Sequence, residues 1–242
     1  MKLSKRFWKS AAVAETDEKI GDLGIPGFAV ELDGRRVKTP VGRTFLAPTR
    51  AMAEAAAAEW EAQEENVNPL SMPVTRAVNV ALDRVIPERA AVQEIVAAYG
   101  ETDLLCYRAE WPEELAGRQA AGWDPLLSWA ETRHGAPLVR AAGIMHAAQP
   151  GASVAALTAA VAALDPFELT ALHEFVVLSG SLVIGLAILD GAVEAETAWG
   201  LSRIDEDFQA EQWGVDEEAE ALAARKRKDF LQAERFLALV RG

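Results

Sequence analysis

At 242 residues, with half of them hydrophobic, a quarter charged and a net charge of −13, the chain has the composition of a globular protein with one large domain or two small ones. Folding a chain of this length hides roughly 70 to 75% of its surface, so a core forms without metal or disulfide staples, and the single cysteine, Cys106, excludes an internal disulfide. The acidity argues against a general nucleic-acid surface, which needs clustered Lys and Arg; the one dense basic run, residues 225–228, follows an acidic stretch and either balances it or faces solvent.

The N-terminus carries Lys2, Lys5, Arg6, Phe7, Trp8 and Lys9, then the small residues 11–14. It is basic enough to resemble the start of a targeting peptide, yet it lacks the run of about 7 to 15 apolar residues of a secretory signal. Phe28, Val30 and Leu32 then alternate, Asp33-Gly34 supplies a two-residue turn, and residues 35–39 resume, the pattern of a hairpin. A second turn at 40–43 leads into 44–46, so a small antiparallel sheet is expected. Thr49 caps a helix whose Met52, Ala56 and Trp60 share a face, with Trp60 as the apolar lid over the sheet. Residues 66–69 end that helix.

Pro73 suits the first position of a helix with an apolar stripe of Val74, Ala77, Val78, Ala81, Leu82 and Val85, and Pro87 restarts a second, with Val92, Ile95, Val96 and Tyr99 on its face. Residues 103–107 and 138–145 look extended, and either fits a return to the N-terminal sheet. Between them, 113–119 and 123–134 read as two helices, the second capped by Asp124 and opened by Pro125, with Trp123 in a structural role. An alanine-rich helix spans 152–164. Asp165-Pro166 cap the next, which runs through the apolar residues 175–189 to Asp190-Gly191. That apolar run holds 15 residues, interrupted by Ser179, Gly180 and Ser181, short of the ~20 that a membrane span requires. It reads as buried core, with no membrane insertion.

One helix over 193–213 is expected to carry two faces. Leu201, Ile204 and Phe208 point to a core, whereas Trp199, Ser202, Glu206, Gln209 and Trp213 form a second stripe with an indole at each end and a carboxylate midway. Gly214 ends the helix as a left-handed cap. Residues 205–220 contain eight acids and no Lys or Arg, which is either a solvated face or a docking surface. Arg203, three residues before Glu206, is the internal partner within its reach. Asp216 opens a last helix, with Leu222, Phe230, Leu237 and Val240 available for packing. The expected fold is α+β: a small N-terminal antiparallel β-sheet domain with a covering helix over 1–68, then a larger all-α domain over 69–242.

No catalytic or metal motif emerges. His173-Glu174 is followed by Val177 where a zinc-binding helix needs a second histidine, and neither His134 nor His146 has a Cys-x-x-Cys or second histidine beside it. Gly180 and Gly185 have phosphate-loop spacing but continue into Leu186-Ala187, losing the lysine and hydroxyl that meet phosphate and magnesium. Gly-x-Ser-x-Gly is absent, and Cys106 needs a histidine that spacing cannot supply. No cofactor and no small-molecule substrate is indicated. A protein-binding role, a cofactor-free enzyme and a generic acidic adaptor for a basic protein stay open on residue chemistry.

Several blocks, taken in order, carry a resemblance. They are Arg36-Val37-Lys38-Thr39-Pro40; Glu59-Trp60 with Gln63; Met72-Pro73 with Thr75, Asn79 and Asp83; and Asp103-Leu104-Leu105-Cys106-Tyr107-Arg108. Trp123-Asp124-Pro125-Leu126-Leu127 with Trp129 follows, and then residues 202–209 with Glu211 and Trp213-Gly214. On these the chain resembles the assembly chaperones of the F1-ATPase α subunit, found in mitochondria and in some bacteria. The resemblance implies a non-catalytic chaperone that holds the free α subunit until the β subunit takes its place, without ATP of its own. It also implies functional acidity on Glu206, with Asp205, Asp207 and Glu211 as neighbours; Trp199 and Trp213 supply apolar anchors around them. Mitochondrial members begin with a long transit peptide, whereas here the pattern starts at Lys5-Arg6-Phe7-Trp8, so a bacterial cytoplasmic member is expected, with the mitochondrial matrix as the place of the eukaryotic ones.

Overall fold

The computed structural model describes residues 5–143 and 146–242. Strand β1 (Ala11–Lys19) lies antiparallel to β2 (Pro26–Leu32), which turns through Asp33-Gly34 into β3 (Arg35–Arg36). Both turn residues have positive φ, 50° and 77°, the backbone that a two-residue hairpin demands. The Asp33 carboxylate accepts from the N–H groups of Ser10 and Lys9 at 3.0 to 3.1 Å; these donors, Ser10 foremost, hold its carboxyl below the usual range. Strand β4 (Leu46–Ala47) pairs with β2 at Phe28 and Ala29.

β1 is the strand that pattern missed. Alanines and acids have weak strand preference, and only pairing with Val30 and Leu32 on β2 makes an extended conformation pay here. The basic N-terminus that resembled targeting sequence is folded where it is described: Trp8 is buried, its ring 5.2 Å from that of Trp60 in an edge contact, and the Arg6 guanidinium donates to Glu61 O at 2.8 Å. Lys2 lies outside the described residues.

Helix α1 (Arg50–Glu61) starts as expected at Thr49, whose hydroxyl oxygen accepts from Met52 N–H at 3.2 Å. It covers β1 and β2, burying Met52, Ala53, Ala56 and Ala57. Trp60 is only partly covered and packs on Trp8. Helix α2 (Pro73–Val80) has proline at its first position, and the Glu59 carboxylate accepts from Val74 N–H and Thr75 N–H at 2.8 Å each, taking two of the donors that a helix N-terminus leaves free. A π-helical turn, Ala81–Val85, leads to α3 (Arg89–Ala97). Of the stripe expected on α3, Val96 is buried but Ile95 is exposed.

Residues 103–107 do not return to the N-terminal sheet. Asp103 caps a short 3-10 turn, Leu104–Cys106, by accepting from Leu105 N–H at 3.0 Å, and β5 (Tyr107–Arg108) then pairs in parallel with β6 (Ala141–Ala142) in a sheet of their own. Ile144 and Met145, at the end of the second extended segment, lie outside the described residues.

The two helices expected at 113–119 and 123–134 are one, α4 (Glu113–His134), with Pro125 inside it. Asp124 is no cap: its carboxylate pairs with Arg108 at 2.7 Å and Arg140 at 3.1 Å. Tertiary packing overrides the proline. Trp123 is wholly buried and its indole N–H donates to Leu201 O at 2.8 Å, while a Cβ on Gly122 would stand 2.8 and 2.9 Å from the side-chain ends of Leu201 and Ile204, which would have to shift to admit it.

Helices α5 (Gly151–Ala162), α6 (Pro166–Ser179) and α7 (Leu182–Leu189) follow. The apolar run expected as one helix is therefore broken between α6 and α7, where Gly180 takes φ 75°, a conformation glycine adopts freely. Ser181 caps α7 by accepting from Ile184 N–H at 3.0 Å, and every residue of α7 is buried. The buried Asp103 completes this cap, accepting from Ser181 O–H at 2.7 Å and Val183 N–H at 2.9 Å. Then come α8 (Ala195–Ser202), α9 (Ile204–Trp213) and α10 (Glu217–Arg241), the last opened by Asp216, which accepts from Glu218 N–H and Ala219 N–H at 2.9 and 3.1 Å.

The chain forms two units. One comprises the residues up to Arg89 with 166–170 and 235–242; the other comprises 90–165 and 171–234. Residues 69–89 thus fold with the sheet.

Burial pushes the Asp103 carboxyl up from 3.8 to about 6, against the lowering effect of its hydrogen bonds. Between about pH 4 and 6 the folded chain holds a proton there that the unfolded chain has lost, so this group's contribution to stability is full below about pH 4 and declines as pH rises through 6. Asp103→Asn is expected to remove that slope, read as the difference in urea midpoint between variant and parent at several pH values. An identical slope in both would show that Asp103 titrates alike in the folded and unfolded chains.

Candidate functional site

Ser202 ends α8 by donating its hydroxyl to Trp199 O at 2.7 Å, and Arg203, at φ −111° and ψ 5°, leaves the helical conformation before α9 begins. The single helix expected over 193–213 is thus two, and the stripe from Trp199 to Trp213 is broken between Ser202 and Glu206. Gly214, at φ 92° and ψ 159°, ends α9 without the left-handed cap expected.

The break separates the fates of the two indoles. Trp199 is 7% exposed, its ring centroid 5.5 Å from that of Phe230 and the Arg203 guanidinium 5.9 Å above it. Trp213, at the far end of α9, is 79% exposed. They do not frame one continuous surface, because the kink turns Trp199 under the junction while α9 carries Trp213 outward.

The core face came out nearer to expectation. Phe208 is 5% exposed, with the Arg118 guanidinium 5.2 Å from its ring, while Leu201 and Ile204 are partly exposed. Phe208→Ala is expected to cost about 3 kcal/mol, the low end for such a truncation because the Arg118 stem can settle into part of the space. An unchanged melting midpoint would place Phe208 outside the core.

Two of the four acids Asp205, Glu206, Asp207 and Glu211 are held by groups far away in sequence. The Asp205 carboxylate accepts from Gln119 Nε2 at 2.6 Å, and Gln119, itself buried, accepts from Ala109 N–H at 2.8 Å. Glu211 pairs with Arg118 at 2.7 Å, and Arg118 also meets Glu114 at 2.8 Å. Glu206 pairs with Arg203 at 3.1 Å while half of its side chain stays exposed. The exposed Asp207 has no hydrogen bond or ion pair through its carboxylate among the described residues, and partial burial raises its carboxyl above the ordinary value. Of these partners only Arg203 was legible from spacing; Gln119 and Arg118 carried no local signal.

A cleft of about 360 Å³ opens at the α8–α9 junction, lined by Trp123, Trp199, Ser202, Arg203, Glu206 and Lys226 among others. It presents carboxylates and cations together, with no nucleophile poised beside a base. Cys106 is 1% exposed and its thiol is pushed up to about 12 by burial, so it is a thiol at neutral pH and a poor nucleophile. Among the described residues no group of three or more His, Cys, Asp or Glu gathers around a point that could hold a metal ion, and no helix is long and apolar enough to cross a membrane. Along one short helix this region exposes half of the Glu206 side chain, the Asp207 carboxylate and the indole of Trp213.

The chain is similar to several known proteins. The family described as ATP12 chaperone protein matches residues 5–131. A crystal structure of Atp12 from Paracoccus denitrificans is 47% identical, covers 98% of both chains and superposes with a TM-score of 0.91. A variant of the same protein with an aspartate-to-lysine substitution gives 46% identity and a TM-score of 0.92, over 98% of this chain and 97% of the other. Protein atp12, mitochondrial, of Schizosaccharomyces pombe is 24% identical over 246 residues, 96% of this chain and 81% of the relative.

Proposed function

The chain belongs to the ATP12 chaperone family, and from that premise we propose that it is a non-catalytic assembly chaperone of ATP synthase that binds the free α subunit of F1-ATPase. The observation that supports this reading is α9, where Glu206, Asp207 and Trp213 reach solvent on an element that Asp205 and Glu211 tie down through Gln119 and Arg118. An unassembled subunit exposes the apolar interface that its neighbour later covers, and recognition of such a surface needs an aromatic anchor with charged groups that fix orientation. Trp213 is that anchor, Glu206 and Asp207 are the orienting charges, and Trp199 is the floor beneath the junction. In this reading the protein works in the bacterial cytoplasm, takes no cofactor, and releases α when β arrives.

The test is a binding measurement between the full-length protein and purified α subunit, followed by addition of β. Retention of free α and its displacement by β are expected. Recovery of a different stoichiometric partner from the native lysate, with no α, would overturn the proposal. Capture of many basic proteins that disappears in moderate salt would do the same and mark a generic acidic adaptor.

A further inference from the structure

Strand β1 stands at the end of its sheet, in the order β1-β2-β3 with β4 also on β2. Asp33 N–H donates to Ser10 O, and Ala12 and Ala14 lie opposite Glu31 and Ala29. By the alternation of an antiparallel ladder, residues 10, 12 and 14 direct their backbone groups to β2, and Ala11, Val13 and Glu15 direct theirs outward. Ala11 N–H is met by Glu61 Oε2 at 2.7 Å. Among the described residues no strand pairs with the outward groups of Val13 and Glu15. The edge is regular from Ala11 to Glu15, beyond which the register shifts, and it contains no proline.

Beside this edge a groove of about 470 Å³ runs between β1 and α1, lined by Ala11, Val13, Ala57 and Ala58, with Glu54 and Glu61 from α1. Arg50 is the one cation among its lining residues and is already paired with Glu15 and, at 4.0 Å, with Glu54, while Glu61 is met by Arg6 at 3.0 Å. The exposed Glu15 and Asp17 extend the negative charge along the strand.

We propose that this edge is a second docking surface, which takes an extended, basic segment of a partner protein as an added strand. The backbone groups of Val13 and Glu15 supply the ladder, the alanines admit a small apolar side chain opposite Val13, and the carboxylates take Lys or Arg on either side of it. A second copy of the chain is the wrong occupant, since its β1 is itself net acidic, with Glu15, Asp17 and Glu18 against Lys19, and brings no basic excess to the groove. The surface lies wholly within the sheet-bearing unit and does not rest on the reading of α9.

The test uses the full chain and the capped peptide Thr-Lys-Thr-Val-Thr-Lys-Thr, with Thr-Glu-Thr-Val-Thr-Glu-Thr as the acidic counterpart. The basic peptide is expected to bind, to slow hydrogen exchange at Val13 and Glu15, and to weaken by at least about fivefold on moving from low to high salt, as screening requires. Val13→Pro removes an outward donor without touching the β1–β2 ladder, a position where an edge strand tolerates proline, and should abolish binding. Ala58→Arg, on the exposed side of α1, should abolish it with the strand intact and decides the matter if Val13→Pro does not fold. Equal binding of both peptides, no binding of the basic one, or binding unmoved by Ala58→Arg would overturn the proposal. So would a concentration-dependent dimer that Ala58→Arg dissolves.

Discussion

Trp123→Ala is expected to destabilise the helical unit by about 5 kcal/mol, the largest stability effect of any substitution considered. Truncating a buried tryptophan costs about 3 to 5 kcal/mol through lost transfer energy and the cavity left behind. Trp123 is wholly buried, so all of that applies. The indole N–H also donates to Leu201 O at 2.8 Å in a partly buried hydrogen bond, and losing that donor adds about 1 kcal/mol. The Arg108 guanidinium, 5.1 Å from the ring and paired with Asp124, loses the face on which it lies. Trp123→Phe separates these contributions: it keeps most of the ring and loses the donor, and should cost about 1 to 3 kcal/mol. Urea unfolding followed at α4 measures both, and a loss below about 1 kcal/mol for the alanine variant would mean that α4 is not anchored through this residue.

Glu206→Lys is the substitution expected to damage function most while leaving the fold intact. The pair with Arg203 is a half-exposed surface pair, worth about 0 to 1 kcal/mol, and a lysine in its place can turn to water. Against a partner, loss of one member of a buried charged pair costs about 2 to 5 kcal/mol of binding, and reversal costs no less, so affinity for the free α subunit should fall by roughly 30-fold or more. Glu206→Gln should fall between the parent and Lys if charge is what the partner reads. A Glu206→Lys protein with normal melting and normal capture of α would remove α9 from the contact surface. If the variant instead unfolds, the Arg203 pair carries more of the α8–α9 junction than its exposure implies.

The parts of this protein that local sequence determines are those settled by atoms a few residues apart. The turn at Asp33-Gly34 follows from two residues that accept positive φ, and the caps at Thr49 and Asp216 follow from side chains that reach the N–H groups two or three residues on. The burial of residues 182–189 follows from their having no polar face to offer. Composition and pattern thus carried the α+β class, with a sheet at the N-terminus and helices after it. The acidity of residues 205–220 was equally plain, although not which of the acids are free.

Tertiary structure decided the rest. Whether α4 runs through Pro125 depends on Leu201, 78 residues beyond Trp123; whether Asp205 and Glu211 are available depends on Gln119 and Arg118, 86 and 93 residues before them. The same holds for Trp199, which periodicity placed on a stripe with Trp213 and which the break at Arg203 turns onto Phe230 instead. Periodicity within one helix reports which residues share a face, but a face is buried only by what the fold brings against it, and a carboxylate is free only if no distant donor arrives first.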